Sequence, residues 1–173
     1  QETLSPDGLY SSYVFEKDYV EGVLGIQIPL NESYPYSNEL RIRILEEEGY
    51  KFVHPFDGVN TIQGSATLGL EIVNQIKELN TKIDNVLISV GGGGLISGVG
   101  SILKQHFPNI KVLGVEPDKA MGITDSLKLN NPLKTVHTNS IADSLCAPLH
   151  LPYSFSIAKQ VINKMINVSD KEF

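Results

Sequence analysis

From about Gly25 onward, short apolar runs alternate with segments whose apolar residues recur every three or four positions. Asn85–Val90 (NVLISV) and Ile110–Glu116 (IKVLGVE) are nearly unbroken apolar runs, the pattern of strands buried on both faces, and Pro117 stops the second. Lys51–His54 is a shorter strand ending at Pro55, and Met165–Val168 is a last one. Between them lie helical periods. Ser65–Leu79 carries Leu68, Ile72, Ile76 and Leu79 in one stripe, and Leu95–His106 turns Leu95, Val99, Ile102 and Leu103 inward before Pro108. Tyr153–Asn163 does the same with Phe155, Ala158, Val161 and Ile162. Asn38–Glu48 predicts a further helix, with Ser37 as N-cap and Gly49 as the stop. Gln1–Gly22 holds three of the seven tyrosines, shows no period and receives no element. Strands separated by single helices predict right-handed βαβ units and a parallel sheet. The expected class is α/β.

Composition narrows the partners more than the fold. The 173 residues suffice for one sizeable core. With 14 Lys+Arg against 20 Asp+Glu the net charge is −6, the wrong sign for a nucleic-acid or anionic-membrane partner. No apolar run approaches the roughly 18–20 residues that span a bilayer. The opening QETLSPDGLYSS lacks a signal-peptide profile, and the lone Cys146 excludes an internal disulfide, so a soluble cytoplasmic protein is expected. Because the sequence opens on Gln1, it is expected to be part of something longer.

Val90-Gly91-Gly92-Gly93-Gly94-Leu95 carries the most chemistry. It follows a predicted strand and opens a predicted helix, and each glycine there loses about 0.5–1 kcal/mol relative to Ala in regular structure. Such a run suits a place where a ligand approaches the backbone or where successive N–H groups converge. A helix N-terminus adds orphan donors and partial positive charge, which together suit a phosphate. A Walker loop is excluded, since Leu95-Ile96 stand where Lys-Ser/Thr belong, and no start within the tetrad meets the dinucleotide spacing. A tight strand-to-helix turn with close packing is the alternative.

Ser89–Gly98 (SVGGGGLISG), followed by Gly114-Val115-Glu116-Pro117, resembles the pyridoxal-phosphate-dependent threonine/serine dehydratase and serine racemase family, whose fold is tryptophan-synthase-β-like (fold type II). Four more stretches are similar, in order along the chain. They are Leu24-Gly25 with Ser33-Tyr34; Glu48–Gly58 (EGYKFVHPFDG); Gly64-Ser65-Ala66-Thr67 with Glu71-Ile72; and Ile141–Leu145 (IADSL). The resemblance covers residues 25–173 and implies part of the family's large, cofactor-binding domain, leaving 1–24 unassigned. It implies that the amides of Gly91, Gly92, Gly93, Gly94 and Leu95 hold the phosphate of pyridoxal 5'-phosphate. It also implies a cation such as Mg²⁺ at Glu116 and the carbonyl of Ala120, although Gly122 stands where metal-activated members carry a further acid.

Two family motifs do not occur in these residues: Ser-Phe-Lys-x-Arg-Gly, with the lysine that bonds the cofactor aldehyde, and the substrate-gripping Ser-x-Gly-Asn-His. Lys17 lacks the Arg-Gly that should follow it. The 173 residues alone are therefore expected to be inactive, as part of a lyase that removes water from threonine or serine. The resemblance further implies a small amino-acid substrate for the complete enzyme, and association with a second copy or a missing part. The alternatives are a non-catalytic binding, regulatory or split-complex module retaining the fold, or a Rossmann-like nucleotide binder in which Glu116 poses as the ribose acid. His54, His106, His137 and His150 show no metal spacing and read as surface or loop residues. Cys146, with no cation beside it, reads as a small buried hydrophobe.

Overall fold

The computed structural model describes residues 10–16, 25–29, 43, 46, 47 and 49–172. The chain divides into two compact units, Gln1–Pro55 and Phe56–Phe173. In the first, β1 (Tyr10–Glu16) pairs antiparallel with both β2 (Gly25–Pro29) and β3 (Tyr50–Val53). Tyr13 stands opposite Gln27 on one side and Val53 on the other. The periodicity assigned no element to β1, but YSSYVFE is rich in the aromatic and β-branched residues that suit a pleated sheet. Of the predicted helix Asn38–Glu48, Arg43, Glu46 and Glu47 are described and helical, with Arg43 paired to Glu47 at 3.1 Å. Gly49 follows at φ 98°, its N–H donating to the Glu46 carbonyl, a glycine stop as expected. The rest of that helix, with Lys17, Leu24, Ser33 and Tyr34, lies outside the described residues.

The second unit is α/β. Its sheet is parallel, ordered β4 (Asn85–Ser89), β5 (Lys111–Pro117), β6 (Lys164–Val168), with Ile88 beside Gly114 and Val115 beside Ile166. Four α-helices accompany it among the described residues: α1 (Val59–Glu78), α2 (Gly94–His106), α3 (Gly122–Leu129) and α4 (Pro152–Val161). The chain runs β4–α2–β5, then through α3 and α4 to β6, so both parallel pairs are joined by helical crossovers. α2 is the hub, packed against α1 and α4. Val73, Ile88, Val90, Ile96, Leu103 and Ile123 are among the residues of one continuous core.

Three expectations about inward faces are corrected. In α1, which begins at Val59, the buried line is Ile62, Gly69, Val73 and Ile76, whereas Leu68 and Leu79 are exposed and Ile72 is half-buried. The line of contact runs through Gly69, where a Cβ would come within 3.1 Å of the Val99 backbone and 3.0 Å of Ile102. The helices approach along a position that hydropathy counts as empty. In α2, Leu95 is 41% exposed and Ile96 is fully buried in its place. In β4 only Ile88 is buried while Leu87 is 63% exposed, so this strand alternates with period two rather than being covered on both faces. α4 keeps its expected face, burying Phe155, Ala158 and Val161, and Pro152 opens it where a missing N–H does no harm. α3 was not foreseen: it buries Gly122, Ile123 and Ser126, too short and too polar a set to show a period.

Candidate functional site

β4 ends at Ser89, the tetrad follows, and α2 begins at Gly94. The tetrad therefore lies at the carboxyl edge of the parallel sheet, where open α/β folds bind ligands. A depression of about 320 Å³ near Thr81–Asp84 and His106–Ile110 lies at the opposite edge and is no part of this site. Val90 extends the ladder by one bond, its N–H donating to the Val115 carbonyl at 2.8 Å. Gly93 then turns the chain at φ 97°, ψ −6°, left-handed and suited to glycine. The first helical bond is Ser97 N–H to Gly93 O at 3.0 Å. The N–H groups of Gly93, Gly94, Leu95 and Ile96 thus precede any intrahelical acceptor, at the positive end of a 13-residue helix.

The other faces of the tetrad are packed with protein. A Cβ on Gly92 would fall 2.0 Å from the Phe56 ring, and one on Gly94 2.7 Å from the Phe56 carbonyl oxygen. Close packing is therefore part of why these positions are glycine. A valine at position 92 would strike Phe56 directly, so loss of anion binding in Gly92→Val would not distinguish a blocked cradle from a displaced loop. Leu145, from the Asp143–Leu145 3₁₀ turn, lies over Gly91, where a Cβ would sit 3.3 Å from its Cα. Ser65, on α1, donates to the Gly94 carbonyl at 3.0 Å and ties the start of α2 to that helix. Segments separated in sequence by as much as about 90 residues thus converge on one turn.

Two carboxylates cap helices from a distance. Asp57 accepts from Ser154 N–H at 2.6 Å in the first turn of α4. Glu116, at the end of β5 and only 1% exposed, accepts from Ile123 N–H at 3.1 Å and Thr124 N–H at 3.0 Å in the first turn of α3. Asn167 Nδ2 donates to the same carboxylate at 3.2 Å. Burial pushes the Glu116 carboxyl above its ordinary 4.5, and the bonds from Thr124, Ile123 and Asn167 oppose that rise.

His150, expected at the surface or in a loop, is in a loop but 3% exposed. Its Nε2 lies close to Gly122, 2.1 Å from the ideal position of a Cβ there, and its Nδ1 is buried with no hydrogen-bond partner among the described residues. Burial depresses its pKa below 6.5, and the nearby Gly92 backbone opposes this. Of the remaining expectations, His106 and His137 are exposed and Cys146 is half-buried.

Gly91 to Leu95 are together by continuity. Glu116 and Ala120 are both buried, but both Glu116 oxygens are engaged by backbone amides, and among the described residues no three His, Cys, Asp or Glu side chains are grouped to hold a metal ion. Phe56, Asp57, Ser65 and Ser154 were not foreseen as parts of the site. Phe56, Asp57 and Ser65 lie inside motifs already quoted for the resemblance. Ser154 carries no local signal.

Residues 23–173 match the pyridoxal-phosphate dependent enzyme family, and the chain belongs to it. Among its relatives, phenylserine dehydratase of Ralstonia pickettii is 38% identical over 86% of this chain and 44% of its own. A chloroplastic biosynthetic threonine dehydratase of Solanum lycopersicum is 33% identical over 88% of this chain and 25% of its own. Among solved structures, a T.th. threonine deaminase superposes with a TM-score of 0.72 at 32% identity, covering 78% of this chain and 46% of that one. Maize serine racemase superposes at 0.68 and 30% identity, covering 80% of this chain and 42% of that one. The chain spans less than half the length of these proteins. The described residues fit the phosphate end of pyridoxal phosphate: a left-handed glycine turn, helix-start amides without intrahelical acceptors, and both nearby carboxylates, Asp57 and Glu116, already engaged by amides.

Proposed function

We propose that this chain is the phosphate-binding part of the cofactor domain of a threonine/serine dehydratase-type ammonia-lyase, whose complete form removes water from a hydroxy amino acid. The observation that carries this is the strand–Gly91-Gly92-Gly93-Gly94–helix turn, on which the Phe56, Ser65 and Leu145 segments converge. The amides of Gly91 to Leu95 would bind the phosphate. Bound pyridoxal phosphate supplies the electron sink for the elimination. The residues here anchor and orient it, and the start of α2 adds favourable charge. The extent 25–173 belongs to the proposal, supported by the family match over 23–173, and stands beside the compact division at Pro55. So does a cytoplasmic location, resting on the lone thiol of Cys146. Among the described residues no helix is long and apolar enough to cross a membrane. An amino-acid substrate, and association with a second copy or a complementary part, are proposed with it. Exposed Leu87 on an edge strand supports the association. Cation binding at Glu116 and Ala120 is not carried forward, because the Glu116 carboxylate caps α3.

A second reading, a non-catalytic or split-complex module, is favoured by the absence of the lysine motif from these 173 residues. Two measurements test these readings. Calorimetry should show inorganic phosphate and pyridoxal phosphate competing for one site. Gly93→Ala, which forces a side chain into the left-handed region at about 1–2 kcal/mol, should weaken both roughly tenfold. Equal affinity in that variant would remove the tetrad from the site. Ammonia release from threonine or serine should be absent for the purified chain with added cofactor, and steady turnover would show that a lysine elsewhere in these residues serves the chemistry.

A further inference from the structure

β5 and β6 end side by side, with Pro117 opposite Val168 and the Asp118 N–H donating to the Val168 carbonyl at 2.9 Å. Two residues beyond each end stand opposite charges, and Lys119 Nζ meets Asp170 Oδ2 at 2.6 Å. The other oxygen of that carboxylate takes hold of a third piece of chain. Asp170 Oδ1 accepts from Ser140 Oγ at 2.5 Å and from Ile141 N–H at 3.2 Å. Ser140 Oγ accepts in turn from Ala142 N–H at 3.2 Å, and Asn139 N–H donates to the Lys119 carbonyl at 3.2 Å. The backbone that carries Asp170 is itself fixed, because Glu172 Oε2 accepts from the N–H of Ser169 at 2.9 Å and from its hydroxyl at 2.6 Å.

These bonds fall at the tip of a long connection. In residues 130–151, between α3 and α4, the described regular structure is the Asp143–Leu145 turn, and connections of such length in compact domains commonly serve a site. The root of the loop is closed by main-chain bonds between its two limbs, Val136 N–H to Pro148 O and His150 N–H to Leu133 O, each 2.7 Å. The tip is fastened to the carboxyl edge of the sheet by Lys119 and Asp170. The Asp143–Leu145 turn follows directly, joined to the tip by Leu145 N–H on the Ala142 carbonyl at 3.0 Å, and it lies against Gly91, where a Cβ would sit 3.3 Å from the Leu145 Cα.

From these contacts we infer that Asp170 is a positioning residue for the anion site: by clasping Ser140 and Ile141 to the carboxyl edge of the sheet it holds the Asp143–Leu145 turn against Gly91. The inference rests on reading the tetrad as a phosphate cradle and adds to it the residue that keeps its β4 side closed. The ion pair is the lesser part of the clasp, since the Lys119 side chain is 52% exposed and exposed pairs contribute little. The bonds to the loop tip are the greater part. With them gone the turn is free to leave Gly91, water reaches that side of the cradle, and a bound phosphate departs sooner.

The test compares Asp170→Ala, which removes both oxygens, with Asp170→Asn, which keeps an acceptor for Ser140 and Ile141, and with Lys119→Met, which removes only the ion pair. Inorganic phosphate binding by calorimetry should weaken about tenfold in Asp170→Ala, the equivalent of one hydrogen bond, and stay within about threefold in the other two. Loss of a carboxylate by itself favours an anion, so weaker binding in Asp170→Ala reports the loop and not the charge. The Leu145 and Cys146 amides should exchange with solvent faster in Asp170→Ala, while the Val136 and His150 amides at the root keep their wild-type protection. Unchanged exchange at Leu145 and Cys146, or faster exchange with undiminished phosphate affinity, overturns the inference. So does an equal loss of protection at root and tip, which would make Asp170 merely structural. If Asp170→Ala does not fold, Ser140→Ala, which removes the donor to Asp170 and the acceptor for Ala142, decides through the same two readouts. Failure of the wild-type chain to bind phosphate would instead remove the cradle reading, with the Leu145 and Cys146 amides still judging the clasp.

Discussion

Gly98→Ala is expected to destabilise the second unit by about 3 kcal/mol or more, although it adds a single methyl group and raises helix propensity. A Cβ at position 98 would lie 2.1 Å from Ser65 Oγ, 2.5 Å from the Ile62 carbonyl oxygen and 2.6 Å from the Ala66 nitrogen. The last two are backbone, so no rotamer change relieves the contact and α1 must move away from α2. That movement would also stretch the bond from Ser65 to the Gly94 carbonyl, so phosphate affinity should fall along with stability. Gly64→Ala is the control. Nothing lies within 4 Å of a Cβ there, the position is inside α1, and the substitution should stabilise by about 0.5–1 kcal/mol. Thermal unfolding should place the two variants on opposite sides of the wild type, Gly98→Ala lower by roughly 6–12 °C. Equal midpoints would mean that α1 and α2 are not packed as closely as described.

Glu116→Ala should destabilise by about 3 kcal/mol, because it leaves the buried amides of Ile123 and Thr124 without an acceptor and uncaps α3. Glu116→Gln retains one acceptor but turns an NH₂ group toward the second amide, so an intermediate loss is expected. The two variants also separate the charge from the cap. Burial raises the Glu116 carboxyl above 4.5, so the folded chain binds its proton more tightly than the unfolded chain does. The stability linked to that proton is therefore fully present below pH 4.5 and is lost as the pH rises through the folded-state value. Urea titrations between about pH 4 and 8 should show this segment in the wild type and lack it in Glu116→Gln. A wild-type curve identical in shape to that of the variant would show that Glu116 is not held in its buried cap.

Much of this was legible in the residues. IKVLGVE announces a parallel strand buried along much of its length, NVLISV announces a strand although only Ile88 of β4 is buried, and the tetrad announces a strand-to-helix turn, because glycine admits the left-handed backbone of Gly93 and the close approach of Phe56. The inward faces of the helices were legible only where bulk coincided with contact. Phe155, Ala158 and Val161 meet that condition, whereas Leu68, Leu79 and Leu95 do not. Hydropathy weights a side chain by what it would gain from burial, but the approach of α1 to α2 is set by Gly69 and Gly98, which have nothing to bury and so permit backbones to meet. Glu116 was legible as a carboxylate at a strand end and open to a metal. Its use as a cap depends on the first turn of α3, a helix too short and polar to show a period. The sequence by itself determined the class, the strand–glycine–helix turn and the family resemblance, since each is written in consecutive residues. Only the tertiary structure decided that Phe56, Ser65, Leu145 and Ser154 surround that turn, because these contacts join segments brought together from across the unit and have no counterpart in a linear pattern.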